Sequence, residues 1–231
     1  MATLKVLGAG PVKRGVTQLA AMFEKTSGHR VSVEFAGAPS VRERVLAGEA
    51  VDVAIVPQAA MEEFAQQGRI VAGTRGLAGR SRMGIVVRKG VPSPDISTVE
   101  NFKRAVMDAN EIVCNVASSG VYMVNLLEKL GIGEATKARV LKLPNAVKVM
   151  EHVAGSAAHA IGVGQLAEIS ELVEKGLAIA LVAPFPDAIQ NVTAYDAAAA
   201  DASGAKDVAA ALAAFLTGSE ARAVFAATGI D

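Results

Sequence analysis

One pattern recurs along this chain: a short apolar run, a turn of small residues, then a stripe at helical spacing. It is clearest in Glu111–Leu130. Ile112 to Asn115 is long enough for a buried strand, and Val116-Ala-Ser-Ser-Gly120 is a small-residue loop. Val121, Val124, Leu127 and Leu130, with Leu126 beside them, then repeat with the period of a helix. The first turn of a helix has free backbone N–H groups and the positive end of a dipole. Ser118 and Ser119 add hydroxyl donors there, so the spot can hold an anion. Ser118 can equally serve as a plain N-cap. For a single such unit capping is the better account, and the repetition is what argues for a ligand.

In chain order, Leu4–Leu7 reads as a strand, Gly8-Ala-Gly-Pro11 as a turn, and Val16, Leu19, Ala20 and Phe23 as the stripe of a helix over 12–25. Val31–Phe35 alternates and is β-branched, which predicts a strand. Ala36-Gly-Ala-Pro-Ser40 turns, with Ser40 placed to cap a helix over 41–47. Val51–Val56 is a third strand and 59–67 a third helix. Short turns between such elements mean a parallel sheet wrapped by helices. The rhythm changes in the Gly- and Arg-rich stretch 71–82. Beyond it come a strand at 83–88 and a capping box, Ser97-Thr-Val-Glu100, which opens a helix to about Asp108. Strands at 112–115, 140–143, 158–163 and 178–182 follow, with helices between them, and then a strand at 190–195. Val208, Ala211, Leu212 and Phe215 mark an amphipathic helix, and Ser219 caps a last one.

Two blocks of alternating strand and helix result. The expected division is residues 1–82 plus 191–231 as lobe I and 83–190 as lobe II, because the helices from Lys206 onward need the first block to cover. The expected fold is therefore α/β: two lobes, each a mostly parallel sheet flanked by helices, with a cleft between them. Ligands of open parallel sheets sit at the carboxyl ends of the strands. Four strand-to-helix turns carry small residues: 8–12, 36–40, 116–120 and 162–165. Lobes that face each other would aim four helix N-termini at one gap, which suits an oxyanion without any metal.

Composition removes several classes of function. Lys plus Arg equals Asp plus Glu, 23 each, which gives no support for a nucleic-acid partner. Hydrophobic residues are 52 %, ample for a core, and aromatics only 4 %, which favours tight helix-on-sheet layers. The lone cysteine, Cys114, lies in an apolar run and reads as a buried thiol. His29, His152 and His159 stand apart with no ligand spacing, so no metal or cofactor is expected. His29 reads as solvated, and the other two as surface or capping residues. No apolar run approaches the roughly 20 residues of a membrane span. Met1-Ala-Thr3 leads straight into the first strand with no secretory leader. The expected location is periplasmic if a leader was removed, and cytoplasmic otherwise.

The stretches 19–28, 45–54, 82–96, 127–132, 185–190 and 213–221, in that order and spacing, resemble the molybdate-binding-protein-like group of type II periplasmic solute-binding proteins. The resemblance covers nearly the whole chain. It implies two lobes that close over a small anion held by Ser hydroxyls and backbone N–H groups, delivery to an ABC-type permease, and a monomer. Carried over, the contacts fall at Ala9, Gly10, Val12, Lys13, Ala38 and Ser40 in lobe I, and at Ser118, Ser119, Gly120 and Gln165 in lobe II. The first turn is Gly-Ala-Gly-Pro where the molybdate pattern has a Ser, and Ala38-Pro39 stands where Ser and Gly are common. Lys13, Arg14 and Arg82 can supply charge instead, which suits an organic carboxylate, although Arg82 can equally pair on the surface.

Three functions follow, in order of expectation. The first is a solute-binding protein for a molybdate-like oxyanion or an organic carboxylate, with no catalytic residues. The second is a cofactor-independent isomerase of small carboxylates: some relatives with this fold resemble aconitate isomerases, and the lack of a signal peptide favours it. That chemistry needs a base near the substrate α-carbon. No acidic residue lies inside the four turns, and Lys13, Ser118, Ser119, Tyr122 and His159 are the nearby candidates. Tyr122 reads as packing or a hydrogen-bond cap. The third is a ligand sensor, which lacks any DNA-binding segment here.

Overall fold

Apolar runs that are buried on both faces and linked by short helical crossovers leave the chain few topologies, and the computed structural model, which describes residues 1–231, shows one of them twice. The chain divides into two compact units, Met1–Ser81 with Thr193–Asp231, and Arg82–Val192.

In the first unit, β1 (Thr3–Ala9) leads through a 3-10 turn (Gly10–Val12) into α1 (Lys13–Ser27). Then come β2 (Arg30–Ala36), α2 (Ala38–Leu46), β3 (Val53–Pro57), α3 (Gln58–Gln66) and the first half of β4 (Gly76–Arg88). The second unit holds the rest of β4, α4 (Val99–Asp108), β5 (Glu111–Asn115), α5 (Ser118–Lys129), α6 (Gly133–Thr136) and β6 (Val140–Leu143). It continues with α7 (Ala146–Gly155), β7 (Ala160–Gln165), α8 (Leu166–Glu174) and β8 (Ile179–Pro184). β9 (Val192–Ala199) returns the chain to the first unit, where α9 (Lys206–Thr217) and α10 (Ser219–Ala227) end it.

β1 lies between β2 and β3, parallel to both, and β9 runs antiparallel beside β3. β5 lies between β6 and β7, again parallel to both, with β4 antiparallel beside β7. The connection from the first strand of each triplet moves outward, and the next crosses back over it. Right-handed crossovers then force their helices onto opposite faces. Packing agrees. α5 and α4 cover the face carrying Ile112, Cys114, Ile161 and Val163. α7 and α8 cover the face carrying Val113, Ala160 and Val86. In the first unit α2 and α3 bury Leu7, Ala54 and Val56, while α1 packs with α9 and α10.

Several boundaries differ from the sequence reading. β4 begins at Gly76 rather than near Met83, because Gly79 lets Ile230 press on the strand and Asp231 bonds to Arg80. β9 runs on through the alanines to Ala199, since its register against β3 buries them and outweighs their weak β-propensity. α2 starts at Ala38, so Ser40 is its third residue and not its cap. Thr98, rather than Ser97, caps α4 through the Asn101 N–H at 3.1 Å. Gly218 rather than Ser219 precedes α10. The buried stripe of α9 is Ala209, Leu212, Ala213 and Leu216, one residue off the expected phase. In α5, Met123, Leu126 and Leu127 are buried, whereas Val121 is 54 % exposed. Cys114 is buried, and that burial pushes its thiol pKa up. His29 is half-buried rather than solvated, its Nδ1 accepting from the Ala2 N–H at 3.0 Å.

Two local arrangements yield predictions. A Cβ on Gly120 would overlap the Asn115 carbonyl oxygen, so α5 can begin this close to β5 only with glycine there. Gly120→Ala should cost roughly 3 kcal/mol or more, read as a drop in the urea midpoint, because backbone cannot yield as a side chain does. Secondly, Glu49 accepts two bonds from Arg44, at 2.5 and 2.6 Å, and one from Lys5 at 2.7 Å. These bonds hold its carboxyl at about 2 instead of 4.5. A carboxyl lowered on folding contributes stability above its unfolded pKa and loses it as pH falls through the folded one. Glu49→Gln should therefore flatten the loss of stability between about pH 4.5 and 2, with an effect that shrinks in added salt.

Candidate anion site at the carboxyl edge of the strands

β5 and β7 are neighbours, with Val113 opposite Gly162, yet the chain leaves them toward opposite faces, into α5 and α8. Such a reversal opens a crevice at the carboxyl edge, where ligands of α/β sheets bind. At the head of α5, Ala117 is the N-cap and no side chain caps the helix, so Ser118 is its first residue and not the cap. Asn115 explains the local geometry. Its Oδ1 accepts from the Ala117 N–H at 2.9 Å and the Gly120 N–H at 3.3 Å. The Val121 N–H goes to the Ala117 carbonyl. The Ser118 and Ser119 N–H groups are left pointing out of the helix end.

The two hydroxyls differ in kind. Ser119 is buried, and its Oγ lies 3.0 Å from Asn115 Nδ2 and 3.2 Å from Oδ1. Ser118 is exposed. The exposed hydroxyl at this helix head is thus that of Ser118, while that of Ser119 is turned inward to Asn115. Val116, 59 % exposed, and Val121, 54 % exposed, flank this head with apolar surface.

Gln165 ends β7, is buried, and stands as the N-cap of α8, again with no side-chain cap. Met83 of β4 pairs with Gln165, so Arg82 enters the sheet at this same edge. Arg82 Nη1 lies 3.4 Å from Asp187 Oδ1, a surface pair whose carboxylate is 96 % exposed. Ser118, Ser119, Gly120, Gln165 and Arg82 are thereby brought to one edge of the second unit. α7, which starts from the neighbouring strand β6, differs: Asn145 caps it through the Lys148 N–H at 3.0 Å.

The first unit repeats the arrangement. Ala9 and Ala36 pair at the ends of β1 and β2. Gly10 opens the 3-10 turn and its carbonyl accepts from the Lys13 N–H. Ala9 and Val12 are buried, Lys13 is exposed at the start of α1, and Gly8 has Phe35 so close that a Cβ would sit 2.9 Å from the ring. Ala38, half-buried, and Ser40, exposed, lie in the first turn of α2, which has no side-chain cap. Pro11 and Pro39 remove one N–H donor from each turn.

The remaining candidates lie elsewhere or are engaged. Tyr122 Oη donates to the Ile189 carbonyl at 3.0 Å, a packing role. His152 Nε2 lies 2.9 Å from Glu111 Oε2, at the opposite end of β5, where Ser156 Oγ also donates to Glu111. These bonds hold the Glu111 carboxyl below its usual range. His159 Nδ1 lies 3.3 Å from the Asp108 carbonyl at that same far end. No group of three or more His, Cys, Asp or Glu side chains is placed to hold a metal. Glu168 escaped the sequence reading. It sits in the first turn of α8, one turn past Gln165, and the signal that could have found it is its spacing from that N-cap.

Among curated proteins, an aconitate isomerase of Pseudomonas sp is 28 % identical over 236 residues, 99 % of this chain and 87 % of the relative. Among solved structures, the periplasmic molybdate-binding protein of Azotobacter vinelandii has a TM-score of 0.80 at 20 % identity, covering 99 % of this chain and 98 % of its own. A tungstate ABC transporter structure from Geobacter sulfurreducens has a TM-score of 0.75 at 16 % identity, covering 97 % and 98 %. These likenesses show an α/β fold of the type II periplasmic binding protein kind. Residues 4–231 match the family model described as bacterial extracellular solute-binding protein, and the chain belongs to that family.

Proposed function

We propose that the chain is a solute-binding protein whose ligand is a small organic carboxylate. The observation that carries this reading is the head of α5. There the N–H groups of Ser118 and Ser119 and the Ser118 hydroxyl converge with the end of the helix dipole, and Arg82 reaches the same edge. Backbone amides neutralise an anion there without a metal. A tetrahedral oxyanion would be better served by a ring of hydroxyls, and the head of α5 presents one exposed hydroxyl, that of Ser118, with Ser119 buried. A carboxylate also brings carbon atoms, which suit the exposed Val116 and Val121 beside Ser118. The chain works as a monomer in the periplasm and hands its ligand to an ABC-type permease. The descriptions of several structural neighbours as periplasmic or ABC-transporter components support the location and the permease.

A second reading is an isomerase of small carboxylates. The sequence likeness to an aconitate isomerase, which exceeds that to the molybdate-binding protein, favours it.

A thermal-shift panel of molybdate, tungstate, sulfate, citrate and cis- and trans-aconitate tests the ligand class, since a ligand of the folded state raises Tm by mass action. A rise with the carboxylates and none with the metal oxyanions is expected, and the reverse result overturns the carboxylate reading. Ser118→Ala removes a bond to a charged group, so the Kd should rise about 10-fold or more with Tm unchanged in the free protein. Ser119→Ala should instead cost about 1–2 kcal/mol of stability, because it strips Asn115 of a buried partner. Equal effects of the two variants on affinity would contradict this division of labour.

A further inference from the structure

A proton shift needs a base, and the strand-end helices offer only one carboxylate for the task. α1, α2, α3, α5 and α7 carry no acidic side chain in the first turn. α8 carries Glu168. Its place is set by topology. α5 and α8 rise from adjacent parallel strands toward opposite faces, so their heads flank one crevice, and Glu168 stands one turn into the second wall.

Other carboxylates are engaged or misplaced. Asp187 pairs with Arg82 in open solvent. Glu62 and Asp196 both bind Arg75, at 2.6 Å each. Glu111 lies at the amino end of β5, bonded to His152 and Ser156. Glu168 forms no ion pair and no hydrogen bond, although an acid at this helix position commonly bonds back to the N-cap amide. It is half-buried, and loss of solvent together with the neighbouring Glu171 charge pushes its carboxyl up to about 7. Burial therefore outweighs the helix dipole, which would act in the opposite direction. A carboxyl poised near neutrality can both take and return a proton, which is what a general base in a proton shift must do.

We propose that Glu168 is the base of a 1,3 proton transfer within an unsaturated carboxylate bound at this edge, an inference that rests on the isomerase reading above. The Glu168 carboxylate takes a proton from the methylene carbon next to the double bond. The C–H electron pair becomes the new double bond, while the pair of the old one moves toward its far carbon and that carbon's carboxylate. The far carbon then takes the proton back from Glu168. One C–H bond breaks and one forms, the base is regenerated as the anion, and no oxidant, reductant or co-reactant enters. The Ser118 and Ser119 amides and Arg82 stabilise the transient negative charge.

The test follows cis-aconitate with the full chain in D2O by proton NMR, with thermal shift as the measure of binding. The wild type should form the trans isomer and take up deuterium at the exchanging carbon. Glu168→Gln should keep Tm and bind cis-aconitate within about threefold, yet lose turnover and deuterium uptake by about 100-fold or more, the usual contribution of a general base. Glu168→Asp, which keeps the charge and shortens the reach, should be intermediate, and it decides the matter if the Gln variant fails to fold. Turnover in Glu168→Gln within fivefold of wild type, or a full rate in Glu168→Asp, overturns Glu168 as the base and leaves the isomerase reading standing. Binding by the wild type with neither conversion nor exchange overturns that reading, and this assignment with it. Absence of binding by any carboxylate in the panel overturns the binding site itself.

Discussion

Parallel strands can be joined only by a crossover, and crossovers of L-amino acid chains turn one way. Everything else in this molecule depends on that chirality. Once β2 takes the outer place beside β1, and β6 the outer place beside β5, the return connection must cover the other face. The helices from neighbouring strands then part company at the carboxyl edge. The crevice follows from strand order alone, before any side chain is considered. Side chains decide what the crevice can hold.

On the proposed reading, charge at this edge is handled mainly by backbone. Carboxylate recognition by several guanidinium groups would need many long side chains and their ordering entropy. Amides at a helix head are already fixed by the fold, so little is lost on binding. Asn115 shows how the supply is arranged. It takes the Ala117 and Gly120 N–H groups and holds Ser119 inward, which leaves the Ser118 and Ser119 N–H groups on the outer side. Gly120 permits the close approach on which that geometry rests. A buried amide side chain and a glycine thus set the position of groups that they do not themselves expose.

The alternation of strand and helix was plain from periodicity, as were the small-residue turns and the buried Cys114. The resemblance to type II binding proteins rested on several short stretches in order, and family and fold agree with it. Phase was harder to read. Ser40, Ser97, Ser118 and Ser219 all look like caps, because Ser competes well for that position. In each case another residue takes it, since helix starts are fixed by where the preceding strand or loop releases the chain. Phase also failed by one residue in the buried stripe of α9, and Val121, read as part of the stripe of α5, is exposed.

Local sequence was sufficient for the order of elements and the position of the turns, because periodicity and turn chemistry act over a few residues. It could not distinguish Ser118 from Ser119, since a hydroxyl points inward or outward according to where its helix begins and what lies behind it. Nor could it single out Glu168 among 23 acidic residues. What makes that carboxylate unusual is the loss of solvent around it, and burial in general is decided by how segments distant along a chain pack together. Only the packed arrangement brings those segments together.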